Sequence, residues 1–246
     1  MIIVKEKDEI SKIAKSARVA SFALKEVIKN VKPGVNSLDL DKIANRIIVS
    51  RGGKPSFLGF KGYPASICVS LNDELVHGLP NNRKIASGDM VKVDLGVELD
   101  GYHSDTAKTV FVGRPNKDHL RLMNGVKTAL EQTVRFIKPG VRVGEIEKIT
   151  GKVLKKYNLS PVLTLSGHGI GKDLHEEPSI KSDGNPSDGE TIKEGMVLAI
   201  EPMATLGTGK VKLSHDGWSI KSVDGSFAAH FEHTIVVTQN GSKILT

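Results

Sequence analysis

The sequence has one cysteine, Cys68, among 246 residues. No intramolecular disulfide can form, and there is no Cys-x-x-Cys pair to hold zinc. Nothing therefore points to an oxidising compartment. Long apolar runs are missing as well: stretches such as Met196–Ile200 fall far short of the roughly 20 residues that span a bilayer. The first nine residues include Lys5, Glu6, Lys7, Asp8 and Glu9. The basic start and clean apolar stretch of a secretory leader are thus absent. No Pro/Ser-rich linker or low-complexity segment divides the chain. These absences leave a globular protein without a membrane anchor, expected in the cytoplasm. Hydrophobic residues make up 39% and charged residues 26%, ordinary values for such a chain.

Lys plus Arg exceed Asp plus Glu by 35 − 28 = 7. A basic surface suits an RNA-rich partner through phosphate contacts. A solvated surface with a small excess of lysine accounts for the same number, and that plainer reading is preferred. Nothing suggests DNA, and a monomer is the default expectation.

The most informative feature is an internal repeat. Ala23–Ile43 and Ala129–Ile149 align without a gap at an offset of 106 residues, with eight of 21 positions identical, including Lys-Pro-Gly-Val. In the first copy, Ile10, Ile13, Ala14, Ala17, Leu24, Val27, Ile28 and Val31 recur at spacings of three and four, the pattern of an amphipathic helix. Pro33-Gly34 stops it, as Pro139-Gly140 stops its counterpart. A second helix follows, with Leu40, Ile43, Ala44, Ile47 and Ile48 on one face, and strands come after it. The chain thus predicts an α+β fold. Two helix-helix-antiparallel-sheet halves, approximately residues 8–113 and 117–240, form one domain over 1–246. A pseudo-twofold axis relates them, and a site fed by both halves lies on that axis.

Met90–Gly113 reads as a β-hairpin turning at Asp100-Gly101, a dipeptide suited to a type I′ turn. A two-residue turn sets Asp94 opposite Ala107 and makes Asp105 its diagonal neighbour on the same face. Two carboxylates this close need a cation, a shared proton or a basic partner. The alternative is an aspartate solvated at a strand end, and the hairpin alone leaves both open. Glu201 follows the apolar run Met196–Ile200, and Glu232 lies in Ser226–Thr238, read as one alternating strand. Buried carboxylates seldom stay unpaired, and no basic residue in those two strands offers a salt bridge, so metal is favoured.

His168 sits in Ser166-Gly-His-Gly-Ile-Gly171, where flanking glycines let the backbone bend around an imidazole. The stretch is neither a dinucleotide fingerprint nor a nucleophile elbow. His175, in His-Glu-Glu-Pro, lacks the second histidine of a His-Glu-x-x-His zinc helix. Taken alone, either histidine is more often structural. Together, four carboxylates and one imidazole form an oxygen-rich set suited to manganese, iron(II) or cobalt, and their four charges balance two divalent ions.

At these residues the sequence resembles the type I methionine aminopeptidases, which have the duplicated pita-bread fold. The match takes in Leu71–Pro80, Val93-Asp-Leu-Gly-Val, Gly167–Gly171, His175–Pro178, Ile200-Glu-Pro-Met203 and Phe231–Thr238. The resemblance implies a metal-dependent aminopeptidase that removes the initiator methionine from nascent chains, preferring a small second residue. It implies two divalent ions (Co, Mn, Fe(II) or Zn) held by Asp94, Asp105, His168, Glu201 and Glu232. Asp94 would bind one ion, Asp105 and Glu232 would bridge, and His168 and Glu201 would complete the other. Glu201 would also act as general base, His175 would bind the scissile carbonyl, and His77 would contact the substrate amide. The α-amine of the substrate would bind on the Asp94 side. By the same resemblance the methionine pocket involves Phe57, Phe60, Tyr63, Cys68, Leu174 and Trp218. From the residues themselves Cys68 is either pocket wall or core, and Trp218, the one tryptophan, is as readily a core anchor.

Two departures stand out. Leu174 takes a position where phenylalanine is common. Ala228-Ala-His-Phe231 stands where Ser-Ala-Gln-aromatic is usual. His230, two residues from Glu232 on a strand, is expected behind the ligands rather than as a sixth one. His103, His119, His215 and His233 are read as structural. No zinc-finger segment precedes the catalytic region and no long insert interrupts the second half, as in the short bacterial form. The rival readings are an X-Pro aminopeptidase or prolidase, whose usual extra N-terminal domain 246 residues leave no room for, and a non-catalytic RNA- or peptide-binding relative, which would typically have lost ligands. A third combines catalysis with transient ribosome docking through Lys148, Lys152, Lys155 and Lys156.

Overall fold

The computed structural model describes residues 2–246. Its first half begins with helices α1 (Lys7–Lys29) and α2 (Ser37–Ser50). Strands β1 (Lys54–Pro55), β2 (Cys68–Leu71), β3 (Glu74–Val76), β4 (Met90–Leu99) and β5 (Tyr102–Phe111) follow. The second half repeats the order with α3 (Lys117–Phe136) and α4 (Val143–Lys156). It continues through β6 (Ser160–Pro161), β7 (Ser166–Gly169), β8 (Glu176–Lys181), β9 (Val197–Ile200) and β10 (Met203–Thr205). It closes with β11 (Val211–Leu213), β12 (Ile220–Ser222), β13 (Ala228–His230), β14 (His233–Thr238) and β15 (Gly241–Ile244).

The repeat seen in the sequence is a repeat of structure. Helices α2 and α4 start and end at the same offset, 143 − 37 = 106 and 156 − 50 = 106. Before each, the chain turns at a glycine in the left-handed region, Gly34 (φ 88°) and Gly140 (φ 95°), where a Cβ is unfavourable. The Asn36 side chain accepts from the Asp39 N–H and so caps α2, occupying one of the orphan donors of its first turn.

Each half has its own apolar core. Val27, Leu40, Ala44 and Ile48 pack with Val91, Val93 and Leu95 of β4. Leu122, Val126, Ile146 and Leu154 pack with Leu198 and Ile200 of β9 in the second half. In the first half β4 pairs with β5 along its length, with β2 towards its start and with β1 towards its end, all antiparallel. The matching sheet in the second half runs β15-β14-β9-β7-β8.

Side-chain and main-chain hydrogen bonds join the halves along β5. Thr234 Oγ1 donates to the Asp105 carbonyl at 2.7 Å and accepts from the Asp105 N–H at 2.9 Å. Thr106 Oγ1 donates to the Glu232 carbonyl at 3.1 Å, and the Glu232 N–H donates to the Ala107 carbonyl at 3.0 Å. These bonds correct one expectation. Ser226–Thr238 is not one strand: β13 ends at His230 and β14 begins at His233. The intervening Glu232 turns its backbone across the join to Ala107 instead of along its own sheet.

Close packing of β7 on β9 requires glycine at residue 167, where a Cβ would lie 2.4 Å from the Ala199 carbonyl oxygen. Gly167→Ala is therefore expected to lower stability by about 1–3 kcal/mol through overpacking, measured by urea unfolding; an unchanged midpoint would show that β7 shifts freely.

Candidate metal centre

The β4–β5 hairpin supplies two carboxylates in the register its sequence predicts. Leu99 faces Tyr102, so the turn is Asp100-Gly101, with φ of 54° and 76°. Both residues adopt positive φ, as a type I′ turn requires. Asp94 is opposite Ala107, and Asp105 is opposite Gly96. Glu201 leaves the end of β9, Glu232 lies at the break between β13 and β14, and His168 projects from β7. These five side chains meet in a cavity of about 580 Å³ at the join of the halves.

The carboxylates have little to neutralise them. Asp94, Asp105 and Glu232 are 9%, 4% and 2% exposed, and no lysine or arginine forms an ion pair with them or with Glu201 among the described residues. Asp94 Oδ1 and Glu232 Oε1 are buried without any hydrogen-bond partner. Burial, with the Glu201 charge next, pushes Asp105 up to about 8, and burial pushes Glu201 up to about 8. Asp94 and Glu232 are raised too, first by burial and then by neighbouring carboxylates. His168 is pushed down to about 3, by burial and then by His175, so it is neutral and free to donate a lone pair. Nδ1 of His168 meets the Gly169 carbonyl at 2.9 Å. As the donor there, Nδ1 leaves Nε2 for a ligand. Ligand atoms of Asp105, His168 and Glu232 lie within 4.8 Å of one another. Clustered buried carboxylates with orphaned oxygens and a neutral imidazole fit a divalent cation.

Above the carboxylates the cavity is walled by Phe57, Phe60, Tyr63, Cys68 and Trp218. The Tyr63 and Trp218 rings meet edge to face at 5.2 Å, and Tyr63 donates to the Gly78 carbonyl at 3.0 Å. Leu174 does not line the cavity; it is 3% exposed, packed behind this wall among Phe57, Tyr63 and Cys68. His175 and His77 are both open to the cavity. The His175 ring stands 4.3 Å from that of His168 and 5.2 Å from that of Phe60. Desolvation in the cleft and the Lys61 charge hold His175 down towards its neutral form. His77 has φ 56°, a left-handed conformation that costs a non-glycine residue about 1–3 kcal/mol and tends to mark functional positions.

Sequence reasoning missed several contributors, of which three stand out. Lys61 and Met203 also line the cavity. Lys5, buried at the N-terminus, forms an ion pair with Glu176 beside His175. No pattern in the sequence links residues 171 positions apart; Met203 was within the Ile200–Met203 motif but carried no chemical signal.

Residues 11–239 match the model for metallopeptidase family M24. The chain belongs to that family. Its α+β architecture is the pita-bread fold, and the family implies a divalent metal. A methionine aminopeptidase 1 from Bacillus subtilis is 42% identical to this chain over 246 residues, covering 100% of this chain and 99% of the relative. The crystal structure of a methionine aminopeptidase from Thermotoga maritima superposes with a TM-score of 0.98 at 39% identity, over 100% of this chain and 99% of that one. A prolidase from Pyrococcus furiosus shares the fold less closely: its TM-score is 0.81 at 27% identity, over 99% of this M24 chain but only 65% of the prolidase.

The charge balance of the site makes stability depend on pH and metal. Above about pH 7.5, a unit past the free imidazole value, histidines are essentially neutral in both folded and unfolded states. The four carboxylates, raised in the folded protein, then hold protons that the unfolded chain has released. Stability of chelator-stripped protein should fall as pH rises from about 7.5 through 8,. Buried Lys92, pushed down to about 7 by desolvation, works in the opposite sense above that pH but is one group against four. Thermal melts should show the decline in stripped protein and its removal by added Co(II) or Mn(II); a flat stripped profile contradicts the charge assignment.

Proposed function

We propose that this protein is a methionine aminopeptidase, a hydrolase that removes the initiator methionine from the N-termini of nascent chains, with preference for a small second residue. The observation that carries this reading is a buried four-carboxylate, one-imidazole cluster on the floor of an apolar cleft, in a chain alike over its full length to relatives bearing that name. The prolidase reading is not favoured, since the prolidase is matched over only 65% of its length.

In this reading the whole of residues 1–246 is one catalytic unit acting in the cytoplasm. Asp94, Asp105, His168, Glu201 and Glu232 would hold two divalent ions. Such ions, when bound, polarise the substrate carbonyl and make water acidic enough to attack at neutral pH. Phe57, Phe60, Tyr63, Cys68 and Trp218 receive the methionine side chain and keep water from it, with Leu174 backing them. His175 donates to the oxygen of the scissile carbonyl and stabilises the charge that grows there. His77 donates to the substrate amide. Glu201, whose burial raises its proton affinity, accepts the proton of the attacking water and passes it to the departing amine. The cut falls after the first residue because the free α-amine must reach the cleft floor beside Asp94. Lys148, Lys152, Lys155 and Lys156 are exposed along α4 and offer a surface for transient contact with the ribosome.

The first test is hydrolysis of a Met-Ala-Ser peptide beside an Xaa-Pro peptide, with chelator and then with added Mn(II), Co(II), Fe(II) or Zn(II). Free methionine should appear from the first peptide only, vanish with chelator and return with metal. Turnover of the Xaa-Pro peptide alone, or of neither, would sink the assignment. His175→Ala should lower kcat by about 10²–10³-fold, the loss typical of one oxyanion donor, with an unchanged melting temperature; an unaltered kcat would remove His175 from the reaction.

A further inference from the structure

His230 has no part in the mechanism above, yet its setting is unusual. It closes β13 and is 1% exposed. One hydroxyl fixes its backbone on both sides: Thr109 Oγ1 donates to the His230 carbonyl at 2.6 Å and accepts from the His230 N–H at 3.0 Å. Neither ring nitrogen has a hydrogen-bond partner, a state that a buried imidazole seldom tolerates. Nε2 stands 3.2 Å from Glu201 Oε2 and 3.8 Å from Glu232 Oε2. On the other side of Glu201, Oε1 faces His168 Nε2 at 3.6 Å. Glu201 therefore lies between two imidazoles, one at each oxygen, and of the two only His168 lines the cavity.

A carboxylate that binds a metal through one oxygen is free to rotate unless its other oxygen is held, which is why such ligands are themselves hydrogen-bonded. We propose that His230 is a positioning residue for Glu201, donating from Nε2 to Oε2 so that Oε1 is presented beside His168. The proposal rests on the metallopeptidase reading. The 3.2 Å separation is within hydrogen-bond reach, and the approach fails only in angle,. Glutamine can supply an N–H from the same position; an aliphatic side chain cannot. The ligand atoms of Glu201, His230 and Glu232 also lie within 4.8 Å of one another, so direct binding of an ion by His230 is the competing outcome.

The test uses the full chain loaded with Co(II) and has three arms. X-ray absorption counts the imidazoles bound to the metal pair in the unaltered protein; positioning gives one, and two would make His230 a ligand and overturn the proposal. Equilibrium titration with Co(II) follows His230→Leu and His230→Gln. His230→Leu should weaken binding by about 10–100-fold, as loss of a partner behind a ligand does, and lower kcat for Met-Ala-Ser with KM little changed. His230→Gln should restore most of the affinity and rate. His230→Leu behaving as the unaltered protein, or His230→Gln failing as badly as His230→Leu, overturns the proposal. If His230→Leu does not fold, the imidazole count and His230→Gln still decide it. Unaltered protein that takes up no Co(II) overturns the metallopeptidase reading itself, whereas the other adverse outcomes overturn the positioning role alone.

Discussion

Four carboxylates, three of them buried, are held together at the cleft, and no lysine or arginine among the described residues pairs with them. Every other feature of the centre answers to that repulsion. Taken alone, a cluster of buried anions would push the strands that carry it apart or hold protons at neutral pH. Here the hydrogen bonds of Thr106 and Thr234 across the join fix Asp105 and Glu232 in place, so the strain cannot be relieved by separating the halves. The metal-free molecule is left with protons on its carboxylates near neutral pH, which a divalent cation would displace.

Much of this was legible in the sequence, for reasons that can be named. The hairpin register followed from the Asp100-Gly101 turn, because a two-residue turn fixes which residues face each other. The helix pairs followed from apolar spacing and from Pro-Gly stops, and the duplication from an ungapped alignment. Each of these signals is local or repeats at a fixed offset. The break at Glu232 was not legible, since Ala228–Thr238 alternates well enough for one strand, and what interrupts it is a bond to Ala107 from the other half. Leu174 shows the same limit. The resemblance puts it in the pocket wall with His175 beside it, but the side chains of neighbouring residues point to different sides, and Leu174 is packed in the core. The Lys5–Glu176 pair joins one end of the chain to the middle of the second half, which no pattern in the residues foretells.

The comparison with prolidase separates fold from specificity. The prolidase shares this scaffold over 99% of the present chain, so the scaffold by itself does not name a substrate. In this chain the cleft walls include Phe57, Phe60, Tyr63 and Trp218, drawn from loops and a one-turn helix. Phe60 comes from a one-turn helix in which Lys61 adopts φ 49°, so part of the wall is set by backbone conformation as much as by side-chain choice.

The bonds along β5 also bear on how the protein moves. Many two-lobed enzymes hinge open and shut over their substrates. Here the strand that carries Asp105 is bonded directly to the segment that carries Glu232, so the lobes share a spine and no flexible joint runs through the centre. Access to the cleft is then left to side chains and loops at its mouth, Phe60 and Trp218 among them.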